Sequence, residues 1–147
     1  MSLDGIAEQE AIITRLSVLC GGRIYDSVPE EEELERDDDS QLVKPYIVVS
    51  FGDVTPTFED RSLAGEEDQP QLMVTVVECW GATMGQVRRT AGAVRGLLVG
   101  WSAGPNSTQV RLGRGGRFTQ TDAEGRPTRY LQTVPNEMLL NMATDQP

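Results

Sequence analysis

The residue types that usually carry chemistry are few here, and their spacing is unhelpful for catalysis. No histidine occurs in the 147 residues. That removes the imidazole base, histidine-containing triads and the usual zinc enzyme sites. Serines without histidine or an SxxK motif have no visible base to activate them. Cys20 and Cys79 lie too far apart for a CxxC pair and too few for a cysteine metal cluster. A bridge between them would need an oxidising compartment, which the acidic opening (Asp4, Glu8, Glu10), unlike the basic start of a signal peptide, gives no reason to expect. Two separate buried thiols are therefore expected. Glu78 interrupts an apolar stretch. It would be a raised-pKa acid if buried alone, but pairing with Arg88 or Arg129, or projection at an edge, is the expected arrangement. Gly113-Arg114-Gly115-Gly116 lacks the GxxxxGK[ST] order of a phosphate loop and is not followed by a helical pattern. These residues predict a chain that is not an enzyme and uses no cofactor.

Charge is more informative. Acidic residues outnumber basic ones 23 to 13, for a net charge of −10. General duplex binding is disfavoured, because it needs a basic face. The acids are unevenly placed: residues 1–82 carry 19 acids and 5 bases, whereas residues 83–147 carry 4 acids and 8 bases. Glu30 to Asp39 reads EEEELERDDD. Its like charges predict a solvated, mobile loop, with electrostatic contact to a basic partner as the functional alternative. The Asx/Gly spacing of a calcium loop is missing, so no metal site is expected. Arg88, Arg89 and Arg95 are set off from the apolar positions around them. They predict either a solvated helix face or a basic docking face. A self-complementary subunit would set these arginines against Glu59, Asp60, Glu66, Glu67 and Asp68, or against the 30–39 run, of a neighbour. Head-to-tail contacts of that kind close into rings when the rotation permits.

The elements that must position these charges follow from periodicity. Ile6, Ile13, Leu16 and Cys20, widened by Ile12 and Leu19, predict a first helix over about 3–19, ended by Gly21-Gly22. Tyr46–Phe51 is apolar on both faces and Gln71–Trp80 alternates, so both predict strands. Leu72, Val74, Val76 and Trp80 would share one face of the second strand, and Met73, Val77 and Cys79 the other. Thr83-Met84-Gly85-Gln86 has the capping-box pattern, and Val87, Ala91, Val94, Leu98 and Trp101 form the best helical stripe in the chain. A short strand over 108–112 and a hairpin pairing 117–121 with 128–134 complete the set. The polar residues 53–70 form a long loop of the kind that binds or assembles. The expected architecture is one α+β domain over 1–147, a mostly antiparallel sheet flanked by two main helices, with an acidic loop at about 29–43. No window is apolar enough to span a bilayer.

In order and texture, the segments RIYDSVPE, KPYIVVSFGDVTP, DRSLAGEEDQP, QLMVTVVECWGAT and VRGLLVGW resemble the tail terminator proteins of long-tailed, siphovirus-like bacteriophages, particularly those of actinobacterial phages. The similarity covers roughly residues 6–101, and the C-terminal hairpin fits in outline. The resemblance implies a homohexameric ring at the head-proximal end of the tail tube, which ends tube polymerisation and gives the head connector or stopper its docking surface. Genomic DNA would pass through the lumen without sequence-specific binding. It implies a place in the virion neck, reached from the host cytoplasm during assembly, with no membrane contact and no catalytic residues. The acidic run matches no motif of that family. Interface candidates are then Glu59, Asp60, Arg61, Glu66, Glu67, Asp68, Arg88, Arg89 and Arg95. Another neck protein (a connector stopper or tail-completion protein) and an acidic DNA-mimic inhibitor are the alternative readings.

Overall fold

A computed structural model describes residues 5–27, 29–52, 55–56, 71–105, 107–113, 118–121 and 129–140. Helix α1 spans Ile6–Leu16 and α2 spans Met84–Leu98. The strands are β1 (Ile24–Tyr25), β2 (Tyr46–Phe51), β3 (Thr55–Pro56), β4 (Gln71–Gly81), β5 (Arg111–Leu112), β6 (Phe118–Thr121) and β7 (Arg129–Leu140). The strands form one sheet in the order β1-β2-β4-β7-β5, with β3 also on β4 and β6 also on β7. Every pairing is antiparallel except β1 with β2. This is the expected α+β class.

The sheet is built around β4 and β7, paired without a break from Gln71↔Leu140 to Gly81↔Tyr130. Alternation along both strands sends Met73, Val77 and Cys79, with Val134, Met138 and Leu140, to one face. Ile47 and Val49 of β2 join them, and Ile12 and Leu16 of α1 and Val87, Ala91, Val94 and Leu98 of α2 seal the layer. Val87, Ala91, Val94 and Leu98 are fully buried, as their spacing predicts, and the two valines and the leucine each contribute roughly 1.5–3 kcal/mol on leaving water. Thr83 caps α2 by accepting the Gln86 N–H at 3.2 Å. Gln86 reaches back one residue further than in the usual capping box, to the Ala82 N–H at 2.9 Å. Trp101 lies beyond the helix end and packs half-buried against the same core.

Several expectations need correction. The first helix ends at Leu16 with Ser17 as its cap, and its buried positions are Glu8, Ile12 and Leu16. Ile6, assigned to the apolar stripe, is 52% exposed. Gly21 and Gly22 do adopt left-handed backbone (φ 60° and 83°), but within a separate single turn, Cys20–Gly22. The last strand does not stop at Val134 but continues to Leu140, through Pro135. The 53–70 stretch contributes β3 to the edge of β4; its other residues lie outside the described ones. Among the described residues, no helix is long and apolar enough to cross a membrane.

Candidate assembly surfaces

The acidic run is folded, contrary to the expectation of a mobile loop. Glu31–Glu33 form a short 3-10 turn. Leu34 follows, 7% exposed, and packs with Val43, Tyr46 and Val48 on the sheet face opposite the helices. One leucine thus anchors a segment in which Glu32, Glu33, Glu35 and Asp37–Asp39 are exposed. The chain then turns back on itself: Arg36 bridges Val43, and the Asp37 N–H donates to the Leu42 carbonyl at 2.8 Å. Asp37 accepts from both the backbone N–H and the hydroxyl of Ser40, at 3.0 and 2.9 Å, and these bonds hold its carboxyl below the usual value. Arg23 ties the base of this hairpin down through the Pro45 carbonyl (2.8 Å) and Glu35 (3.6 Å). Asp38 and Asp39 stand exposed at its tip.

Beneath the hairpin, three aromatic rings and Arg129 join four strands. Tyr25 meets Tyr46 edge-on, with centroids 5.9 Å apart, and Tyr46 stacks on Trp80 at 5.8 Å. Arg129 lies 5.2 Å from the Trp80 ring centroid and donates to the Tyr46 hydroxyl at 3.0 Å. The Trp80 indole N–H reaches the Glu78 carboxylate at 3.3 Å. Glu78 is therefore held within this network, with the indole as a partner that residue pairing by charge did not suggest.

Helix α2, packed over β4 and β7, carries the arginines. Arg88 and Arg89 are exposed on α2, whereas Arg95 is half-buried. Strands β5 and β6 both pair with the outer edge of β7, the first at Asn136–Glu137 and the second at Arg129–Gln132, leaving 133–135 between them. A pocket of about 170 Å³ opens at this gap, lined by Arg95 above and by Leu112, Gly113 and residues 132–135. Pro135 is tolerated inside a long strand because its ring, where an N–H would be, lies on this gap side. Its carbonyl, which points the same way, accepts from the Gly113 N–H at 2.8 Å. A Cβ on Gly113 would sit 3.2 Å from the Pro135 Cβ, so glycine permits the approach. Gln132 is 9% exposed, and its Oε1 has no hydrogen-bond partner. Thr75 and Asn136, paired across β4 and β7, likewise put polar atoms into the helix-covered layer.

The two cysteines are free thiols. Burial pushes the Cys79 thiol up to about 12; nearby Cys20 adds to the rise and the Arg95 charge opposes it. Burial also raises Cys20, against a hydrogen bond from Thr90 and the Arg23 charge. Neither is poised as a nucleophile. Among the described residues there is no group of three or more potential metal ligands.

No family model matches this chain, and no curated protein matches it. A solved structure does. The chain aligns with one in the structure described as "Virion of native gene transfer agent (GTA) particle" at a TM-score of 0.54 and 17% identity. The alignment covers 90% of this chain and 94% of the other. The two share a fold.

Of the interface candidates, Glu59, Asp60, Arg61, Glu66, Glu67 and Asp68 lie outside the described residues. Arg88, Arg89 and Arg95 share α2, and the structure brings Arg95 together with Gln132 and Leu112. Sequence reasoning missed those two. The signal was present in 129–140, where Gln132 and Asn136 occupy inward positions of an alternating strand, a placement that apolar periodicity scores as noise.

Proposed function

We propose that this chain is a structural subunit of a tailed-phage-like virion, and within it the terminator that caps the head-proximal end of the tail tube as a homohexameric ring. The reading rests chiefly on the fold shared with a virion chain over nearly the whole length of both, taken with the order of segments resembling tail terminators. Charge placement supports ring closure. The acidic hairpin sits at the β1-β2 end, on the face away from the helices, and the arginines belong to α2 on the other face, where Arg95 reaches the β7 edge. One subunit thus presents opposite charges on opposite sides, as a heterologous contact requires. Exposed ion pairs are each worth only about 0.2–1 kcal/mol, so they set register while apolar contact supplies affinity.

In this role the partners are further copies of the chain, the tail tube protein and the head connector or stopper, with DNA passing through the lumen. No catalytic activity and no cofactor are proposed. The shared fold is with a chain of a whole virion particle, and a connector stopper or tail-completion protein fits that likeness too. Imaging of the purified chain by negative stain, with and without tail tubes, tests the proposal. Rings with a central hole that bind one tube end are the expected result. A monomer at every concentration would overturn it, and rings that bind the connector but never the tube would favour the other neck proteins.

A further inference from the structure

We propose that the pocket beneath Arg95 is the socket of a head-to-tail contact between copies of this chain, and that it takes a carboxylate from the Asp38–Asp39 hairpin tip of the next copy. This rests on the ring reading above and names the contact that would close it.

The socket is a built site. Arg95 offers guanidinium donors and no acceptor, and it is the charged residue among those lining the cavity. Gln132 lines the same cavity, more than nine-tenths buried, with its Oε1 unpartnered. Arg95 therefore presents donors to an acceptor-only group, and a carboxylate is such a group. A cavity of about 170 Å³ admits it readily, since a water molecule occupies only about 30 Å³ of the liquid.

The knob is equally specific. Of the carboxylates in the hairpin, Asp37 is engaged by Ser40 and Glu35 by Arg23. Asp38 and Asp39 remain exposed at the tip, on backbone fixed by the Asp37–Leu42 and Gln41–Asp37 hydrogen bonds. Leu42, 37% exposed, flanks the tip, and Leu112, 50% exposed, flanks the socket. Their juxtaposition would add the apolar burial that ion pairing lacks. The knob lies against β2 and the socket at β7, with β4 between them. A chain therefore cannot satisfy its own socket, and the contact must pass from copy to copy.

Sedimentation velocity of the full chain tests this with three samples. D38K/D39K changes only exposed side chains, so it folds whatever its assembly. It should weaken association on the order of a hundredfold per contact, as should R95E. An equimolar mixture of the two should recover the assembled species, because each variant retains the half that the other lacks and the reversed halves attract. Assembly of D38K/D39K equal to wild type overturns the proposal while leaving the ring intact, as does a mixture of folded variants that stays dissociated. A wild-type chain that never assembles overturns the ring reading itself. If R95E fails to fold, as judged by its melting curve, the D38K/D39K result decides alone.

Discussion

The two faces of one sheet are drawn from alternate residues of the same strands, yet they differ in almost every physical respect. On the helix-covered face, Met73, Val77, Val134, Met138 and Leu140 are at most 1% exposed and meet the apolar stripes of both helices. On the other, Leu72, Val76, Trp80 and Leu139 are half-buried, and Val74 is 36% exposed. Among the described residues, it is the β1-β2-β4 end of that second face that is covered, by a hairpin that depends on Leu34 and Val43 for its apolar contact. Stability is concentrated on one side of the sheet. The other side and the edges are thereby left to carry charge and contacts without endangering the fold.

The strongest way to break the comparison is to charge the sealed face. Val94→Asp buries a carboxylate within an apolar cluster and should cost at least about 3 kcal/mol, much of the total stability of an ordinary domain, about 5–15 kcal/mol. A denaturation midpoint like that of wild type would remove α2 from the core. Leu34→Ala attacks the sparse face at its anchor. It should cost about 2 kcal/mol through lost burial and a small cavity and should open the hairpin to trypsin at Arg36. Unchanged cleavage would show that the hydrogen bonds of the hairpin hold it alone.

A third test uses pH. The Cys79 thiol is neutral in the fold up to about pH 12 but ionises near 9 in the unfolded chain. Unfolding therefore releases a proton between those values. The contribution is complete below pH 9 and is lost as pH rises toward 12, at up to about 1.4 kcal/mol per pH unit. Cys79→Ala should be less stable at pH 7 but should show a flatter alkaline decline than wild type; parallel curves would contradict the burial of this thiol. The smallest effect is expected at Val74→Lys on the open face, within about 0.5 kcal/mol of wild type by urea titration. The same lysine at Val77 should unfold the chain, and similar costs at the two positions would dissolve the distinction between the faces.

Period and punctuation determined much of this protein. The 3.6-residue stripe of α2, its Thr83 cap, the two-sided apolarity of Tyr46–Phe51 and the alternation of Gln71–Trp80 all depend on neighbours close in the chain, and each is found where local pattern places it. The absence of histidine and the scatter of the cysteines likewise fixed which catalytic sites were unavailable. Tertiary structure decided the rest. An eight-carboxylate run is ordered because Leu34 finds Tyr46 and Val48 on the sheet, a contact invisible to local charge repulsion. Strand β7 passes through Pro135 because the adjoining edge is open there and Gly113 can approach it. Arg95, Leu112 and Gln132 enclose one pocket although helix, strand and hairpin separate them in sequence. Local periodicity records which way a side chain points from its own element; what waits for it there depends on long-range packing, which only the folded chain supplies.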